Sequence, residues 1–342
     1  MTTNITKKSI LPLALSAFAM ALCSAGATAQ EAKPASALEV SGRVWAQLRA
    51  DMTKDSGHKS GFDISRAFLQ AQYKFNAEWS TVLLLDAART GATPDYLASH
   101  VRNAYVQHQG LLGDGSLFRF GLQPTFYVAT LDGAVKTRWL GKNLVDEGGV
   151  VPSQDGAASL TAQAGSVLRY GVAVRNGREG LSKAGSSDNA LGYDAFATIT
   201  PFDGALEKLG LTVYDSLQSQ ATGSTATASS NTLAVALHSQ HAFVDASLET
   251  VVVKQSGAQA VGYGVTANVK PSENSSIYAR FFSGNTNFQT GKLKSKSVLT
   301  VGPTYAFVAG KLSTALLFET RPAVTAGASA QNALLWNWAA NF

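Results

Sequence analysis

The chain has 342 residues and only a mild positive charge, with 28 lysines and arginines against 23 acidic residues. Such a small excess does not indicate nucleic-acid binding. Cys23 is the only cysteine, which excludes a small exported domain held together by disulfide bonds. Hydrophobic residues make up 45% of the chain. No apolar run beyond residue 30 approaches the roughly 20 residues of a membrane-spanning helix, so any membrane crossing requires the strands of a closed barrel.

Residues 1–29 have the pattern of a cleaved secretory signal peptide. Two lysines precede an apolar run at 10–22, and a small-residue stretch at 27–29 offers a cleavage site. The alternative is an uncleaved membrane anchor, but the apolar run is too short to span a bilayer. We therefore expect the exported chain to begin near residue 30.

From residue 38 onward, apolar and polar residues alternate in short segments that end at Gly, Ser, Asn, Asp or Pro. In the first segment, EVSGRVWAQLRA, Val44 and Leu48 belong to the apolar set, whereas Arg43, Trp45 and Arg49 belong to the other set. A period of two is the pattern of a β-strand with one apolar face. About sixteen segments follow it, at 39–50, 66–75, 79–88, 97–109, 116–124, 157–163, 167–175, 191–200, 209–217, 231–238, 242–254, 260–269, 276–283, 297–307, 311–319 and 332–342.

The connections between these predicted strands alternate in length. Turns are short at positions such as 76–78 and 308–310. The intervening connections include the longer polar stretches GREGLSKAGSSDN, QSQATGSTATASS and GNTNFQTGKLKSK. A soluble β-sandwich or propeller also has alternating strands, but the connections favour an outer-membrane barrel, in which tight turns at one end alternate with long loops at the other. The sequence therefore predicts an all-β fold, a transmembrane antiparallel β-barrel over residues 39–342, preceded by a short periplasmic segment at 30–38.

The longest connection, from about 126 to 156, is the third of the outer loops. A segment of this length within a compact barrel is usually functional. It carries Lys136 and Arg138 together with Asp132, Asp146 and Glu147. Opposed acids and bases across a narrow passage would create a transverse field that orients polar solutes. We therefore predict that these five residues belong to a constriction.

Four stretches between Phe62 and Gly177 carry a family resemblance: FDISRAFLQAQYKF, FRFGLQPTF, VVPSQDGAASL and LRYGVAVRNG. They are similar to the strand and constriction-loop motifs of the phosphate-selective porin O and P family of Gram-negative outer-membrane porins. The resemblance implies a long third outer loop folded into the lumen, a homotrimer, and a channel for small anions. The sequence departs from the family pattern at Gln154, where an arginine is expected, and this argues against strong phosphate selectivity.

If the apolar positions face lipid, the opposite parity lines the lumen. Arg43, Arg66, Arg119 and Arg280 lie within or near the spanning parts of their strands, where an inward-folded loop would meet them. Arginine suits such a wall because its guanidinium stays charged and matches flat anions. Arg102 shares the parity of lipid-facing residues, so we expect it outside the lumen, either above the membrane or with its side chain extended to the interface. The other charged residues with lumen parity are Arg49, Lys74, Arg169, Arg175, Asp63, Asp86, Asp194, Asp245, Glu249 and Glu319.

The chain ends in LLWNWAANF, which alternates like the other predicted strands. Trp336, Trp338 and Phe342 fall on the apolar face, where an aromatic girdle would meet outer-membrane lipid. The terminal phenylalanine resembles the ending of other outer-membrane proteins. That resemblance implies that the barrel-assembly machinery reads Phe342.

No catalytic, metal-binding or cofactor-binding pattern stands out. The five histidines are scattered, and His238 and His241 flank a turn without a third ligand at metal-like spacing. We therefore expect a porin rather than an enzyme: a water-filled channel for small hydrophilic solutes and ions, mildly anion-preferring, with phosphate as one candidate. The alternatives are a non-selective general porin, an outer-membrane barrel enzyme, and a plugged structural or adhesive barrel.

Overall fold

The alternating segments pair into sixteen antiparallel strands that close into a barrel, as the sequence predicts. Each strand is hydrogen-bonded to its neighbours in the chain, and the first strand pairs with the last. The predicted signal peptide and parts of the predicted polar loops lie outside the described residues. This computed structural model describes residues 37–53, 60–90, 93–176, 191–202, 208–222, 226–255, 258–284, 297–322 and 329–342.

The strands follow one another around the barrel in chain order. Their bounds are β1 Leu38–Asp51, β2 Gly61–Lys74, β3 Trp79–Thr90, β4 Thr93–Gln109, β5 Leu117–Pro124, β6 Gln154–Ala164, β7 Leu168–Arg175, β8 Gly192–Phe202, β9 Lys208–Thr222, β10 Ala226–Gln240, β11 Val244–Gln255, β12 Ala258–Val269, β13 Ser275–Gly284, β14 Val298–Val308, β15 Leu312–Arg321 and β16 Gln331–Asn341. Two short helices, α1 Phe126–Val135 and α2 Leu144–Gly148, lie between β5 and β6. Within the described ranges, no helix has both the length and the apolar character needed to cross a membrane.

One hairpin is longer than the sequence predicts. The stretch 218–230 was expected to be a polar loop, but β9 and β10 continue through most of it, so that prediction is wrong. The ladder pairs Gln218 with Ser230 and Thr222 with Ala226. Serine and threonine are abundant along both arms, and threonine is favoured in strands, so a polar composition did not end the pairing here.

The two faces of the sheet differ as the alternation predicts. In β11, Glu249 points into the barrel and is only 1% exposed, whereas the adjacent Leu248 points outward and is 55% exposed. Polar residues thus face the interior and apolar residues face outward, which is the reverse of a soluble β-protein. An apolar outer band is the surface that a transmembrane barrel presents to lipid. The band includes Leu83, Val106, Phe120, Val172, Leu233, Val265, Phe281 and Leu316.

The terminal Phe342 closes the barrel against β1. Its amide donates to the Gly42 carbonyl at 3.0 Å, and its carbonyl accepts from the Gly42 amide at 2.8 Å. Its ring covers Gly42 so closely that a Cβ atom added there would lie 2.2 Å from the ring. Nearby on the outer face, the Trp338 ring stacks on Phe307 with centroids 5.6 Å apart. These side chains form part of an aromatic girdle at the end that carries the C-terminus.

A β-bulge between β3 and β4 turns Arg102 into the lumen, so the expectation that it lies outside is wrong. The register shifts between Leu84 and Leu85, which leaves Arg102 as an extra residue in its strand. An extra residue reverses the inside–outside alternation on one side of the bulge. Arg102 consequently donates to the carboxylate of Asp86, inside the barrel, at 3.1 Å.

Candidate functional site

The segment between β5 and β6 packs inside the barrel against one side of its wall. The inner faces of β8–β13 are apolar there instead of polar. The segment presses Tyr127, Leu131, Leu144 and Val145 into this patch, and none of the four is more than 3% exposed. Burial of apolar surface therefore holds the segment to the wall. The wall side of the patch consists of Phe196, Tyr214, Ala234, Ala236, Val251, Val253, Ala260 and Phe282.

A buried carboxylate on β11 fixes the position of both helices. Glu249 accepts hydrogen bonds from the Tyr127 hydroxyl at 3.1 Å, the Leu144 amide at 3.0 Å and the Ser247 hydroxyl at 3.2 Å. Tyr127 belongs to α1 and Leu144 begins α2. A buried carboxylate without such donors is costly, so these bonds select one docked position for the segment.

Two further hydrogen bonds tie the segment to the wall. The Gln240 side-chain amide donates to the Gly133 carbonyl in α1 at 3.0 Å. Arg280 donates from Nη1 to the Lys142 carbonyl at 3.1 Å, just before α2. The attachment points lie on β10, β11 and β13, so the segment is held along its length rather than at one end.

On its other side, the segment leaves a cavity of about 200 Å³ against β1–β4. We call this cavity and its lining residues the constriction. The wall side of the lining includes Arg43, Trp45, Arg66, Phe68 and Arg102. The side formed by the segment includes Val128, Ala129, Asp132 and Arg138. The constriction therefore has charged and apolar groups on both sides.

One ring and one carboxylate organise the arginines of the constriction. The guanidinium carbons of Arg43 and Arg66 lie 5.8 Å from the centroid of the Phe68 ring, and that of Arg102 lies 5.9 Å from it. All three distances are within the range of cation–π attraction. The fully buried Asp86 accepts from Arg66 at 2.9 Å and from Arg102 at 3.1 Å. In the part of the chain that the structure describes, no carboxylate forms a salt bridge with Arg43.

The segment side of the constriction is closer to charge balance. Arg138 forms a salt bridge with Asp146 and lies 3.6 Å from Asp132, and Lys142 lies 3.9 Å from Asp146. Burial raises the pKa of the Asp132 carboxyl, and the positive charge of Arg138 opposes that shift. Because the wall has three arginines around one carboxylate, the two sides differ in charge. The difference creates an electric field across the opening.

Two of the predicted constriction residues belong to a separate charged cluster. Glu147 lies 3.6 Å from Arg280 and 3.2 Å from Arg321. Arg321 also contacts Glu319 at 3.0 Å, and Glu319 lies 3.5 Å from Arg49. Acids and bases alternate in this cluster, which joins α2 to β13, β15 and β1. Its charges therefore largely compensate one another.

Lys136 and Arg119 lie elsewhere in the lumen. Lys136 ends α1 in the left-handed conformation, with φ 56°, and lines a second cavity of about 170 Å³ together with Lys270. This second cavity lies at the end of the barrel that carries the chain termini. Arg119 donates to the Gln107 side chain at 3.3 Å, and its guanidinium carbon lies 5.1 Å from the centroid of the Tyr105 ring.

The structure gathers Arg43, Arg66, Asp132 and Arg138 at the constriction, and Asp146 lies beside it, paired with Arg138. Sequence reasoning missed other members of the lumen sites. Arg321 carried a usable signal, because it follows Glu319 by two residues and so shares its face. Trp45 and Phe68 also carry a usable signal, because they are aromatic residues with lumen parity. Arg102 had no signal in the alternation, because the bulge that turns it inward is a property of strand pairing.

No family model matches the chain, and no curated protein matches it. Several solved structures do. The anion-selective porin from Comamonas acidovorans gives a TM-score of 0.65 at 11% identity, over 90% of this chain and 100% of that one. OmpF of Salmonella typhi, in complex with daunomycin, gives 0.64 at 12% identity, over 89% and 97%. The outer membrane channel DcaP of Acinetobacter baumannii gives 0.63 at 11% identity, over 92% and 99%. At these identities the similarity shows the fold, the closed β-barrel of the porins.

Proposed function

We propose that the chain is an outer-membrane porin that lets small hydrophilic solutes and ions diffuse passively, with a mild preference for anions. The observation that carries the proposal is the constriction, where Arg43, Arg66 and Arg102 face a segment that is nearly balanced in charge. The apolar outer band supports the membrane location. Sixteen strands enclose an aqueous channel, whereas eight would be filled by side chains.

The charge arrangement gives the direction of the preference. Arg66 and Arg102 share the single carboxylate of Asp86, and Arg43 adds a further positive charge. A permeating anion therefore meets a surplus of positive charge at the constriction. The opposing carboxylates Asp132 and Asp146 keep cations from being excluded outright. Mild rather than strict anion selectivity is the expected result.

The test is the reversal potential in a potassium chloride gradient across a planar bilayer. We expect it to show modest chloride preference. Replacing Arg43 by glutamine should lower the chloride-to-potassium permeability ratio by about fourfold, because one unit charge at roughly 10 Å in water changes the energy of each ion by about 0.4 kcal/mol, in opposite directions.

The matched control is Lys254→Gln, which removes one positive charge from an exposed position near the end of β11. Its permeability ratio should stay at the wild-type value. Strong cation preference in the wild-type protein, or equal shifts in both variants, would contradict the proposed selectivity.

Phosphate is one candidate solute, supported by the family resemblance. Gln154, which stands where that family has an arginine, is only 9% exposed at the start of β6 and adds no positive charge there. We therefore propose that phosphate passes through the channel without blocking it. Phosphate added to a chloride solution should therefore carry current itself and lower the chloride current only by its share of the permeating anions.

The other candidate functions give different results in the same preparation. A non-selective general porin would show a reversal potential close to zero. A plugged structural or adhesive barrel would show no conductance. A barrel enzyme would show turnover of an ester or peptide substrate that is lost when a lumen side chain is replaced.

We further propose that three copies assemble through their outer faces in outer-membrane lipid, as the family resemblance implies. Sedimentation in detergent should then give three times the mass of one chain. We also propose that the barrel-assembly machinery reads Phe342, which is exposed at the end of the last strand.

A further inference from the structure

Two aromatic residues occupy lumen positions at the constriction. Permeation of inorganic ions does not require aromatic side chains there. Trp45 on β1 and Phe68 on β2 have ring centroids 5.0 Å apart and planes at 75°. The neighbouring lumen positions in these strands are polar, with Gln47 beside Trp45 and Gln70 beside Phe68. Apolar surface next to the permeation path favours a solute that itself has an apolar part.

The apolar lining continues around the cavity. Leu84 lies on the wall, and Val128 and Ala129 of α1 and Pro124 at the end of β5 lie on the other side. The cavity volume is about 200 Å³. In another protein, an apolar cavity of about 150 Å³ holds benzene. One six-membered ring with a small substituent therefore fits the space.

The charged groups of the cavity favour a negatively charged substituent on that ring. Arg43 lines the cavity, and none of the salt bridges within the described ranges occupies it. The guanidinium fork binds a planar carboxylate through two parallel hydrogen bonds. Arg66 and Arg102 stand beside Arg43 around Phe68 and strengthen the local positive potential.

We propose that the constriction contains a subsite for single-ring aromatic carboxylates, with the carboxylate on Arg43 and the ring against Trp45 and Val128. The proposal rests on the proposed channel function and narrows it to a solute class. Inorganic phosphate and chloride gain from the arginines alone. An aromatic carboxylate gains from both the arginines and the apolar lining, so the subsite favours it over an anion of equal charge without a ring.

The test compares benzoate with acetate as inhibitors of chloride current through the wild-type channel in a planar bilayer. Both carry one carboxylate, and only benzoate has a ring. We expect benzoate to halve the current at about fivefold lower concentration than acetate, the factor that corresponds to one aromatic contact. Benzamide, which keeps the ring without the charge, should inhibit less than benzoate, and benzylamine, a cation, should inhibit least.

Two variants locate the effect at the subsite. Trp45→Gln should bring the benzoate and acetate concentrations together, because glutamine, already present at the next lumen position, supplies no aromatic ring. Arg43→Gln should weaken both inhibitors. The matched control is Trp139→Gln, which removes another lumen tryptophan, one that lines the second cavity. It should keep the fivefold difference.

The outcomes separate this inference from the proposed function. Absence of any chloride current would contradict the channel itself. A channel that conducts chloride but responds equally to benzoate and acetate would overturn the subsite alone. The subsite is also overturned if Trp45→Gln and Trp139→Gln reduce the difference to the same extent. These wild-type comparisons remain decisive even where a variant fails to fold.

Discussion

At the scale of single residues, Asp86 determines how the arginines of the constriction are arranged. It is fully buried beneath Arg66, Arg102 and His100, with the His100 ring nitrogen 3.8 Å from its carboxylate. Its negative charge holds the guanidiniums of Arg66 and Arg102 against the wall. Arg43 lies against the same Phe68 ring as those guanidiniums but forms no salt bridge in the described part of the chain, so it is left to meet solutes.

The substitution Asp86→Asn keeps the shape of this residue and removes its charge. Two arginines then lose their shared counter-charge, so the anion preference measured by reversal potential should rise. Loss of one partner from a buried ion pair should also lower the free energy of unfolding in urea by about 3 kcal/mol.

Asp245→Asn is the control for this change. Asp245 is another buried lumen carboxylate, but it pairs with Lys270 at 2.7 Å and lines the second cavity. Its replacement should alter the reversal potential less than Asp86→Asn does. Equal shifts would mean that the constriction does not control selectivity.

Most lumen residues could be identified from parity alone, because a closed sheet with lipid on one side requires strict alternation. Arg43, Trp45, Arg66 and Phe68 all lie where alternation predicts. Arg102 does not, because a bulge inserts one residue into the strand, and the sequence of a single strand contains no record of its partner's register.

At the scale of elements, the segment that carries α1 and α2 behaves as an internal wall. Its apolar side chains Tyr127, Leu131, Leu144 and Val145 contact the inner faces of β8–β13. Its side chains Val128, Ala129, Asp132 and Arg138 face β1–β4. The segment therefore sets the width of the constriction. Anything that releases it from β8–β13 should widen the lumen.

Val145→Asp should release the segment. Val145 is 0% exposed between α2 and the wall, and a carboxylate placed there would lose its hydration without gaining a partner. We expect a larger single-channel conductance and weaker anion preference, since the constriction would open. Single-channel recording measures both.

Gly133→Asp is the control for this variant, because it adds the same carboxylate to the same segment. A Cβ atom at Gly133 meets nothing within 4 Å, so the new side chain has room. Its conductance should stay near the wild-type value. A wild-type conductance for Val145→Asp would show that the docked segment does not limit the current.

The length and outer position of this segment could be predicted from the sequence, since they follow from counting strands. Its two helices could not. α2 has only five residues, and its N-cap Asn143 accepts from the Asp146 amide, a local signal that is common in loops. The sequence also does not indicate where on the wall the segment docks. Apolar residues at lumen-facing positions of β8–β13 look like ordinary interruptions of the polar alternation.

At the scale of the whole molecule, closure depends on the pairing of the two ends of the chain. β1 and β16 pair from Arg43 opposite Asn341 to Asp51 opposite Ala333. Phe342 extends this ladder by one residue through both backbone hydrogen bonds to Gly42. A closed barrel has no free edge, so the last pairing formed removes the last unsatisfied backbone groups from lipid.

Phe342→Ala should therefore slow barrel formation even without any assembly factor. Purified unfolded protein diluted into lipid vesicles should give a smaller heat-modifiable folded fraction on gel electrophoresis, because the ring no longer covers Gly42 and the seam frays. In cells, where the barrel-assembly machinery acts, we expect a further loss of folded protein.

Phe120→Ala is the control, since Phe120 is an exposed aromatic residue on the outer face of β5, away from the seam. A defect in cells but not in vesicles would restrict Phe342 to recognition, and normal folding in both would exclude both roles.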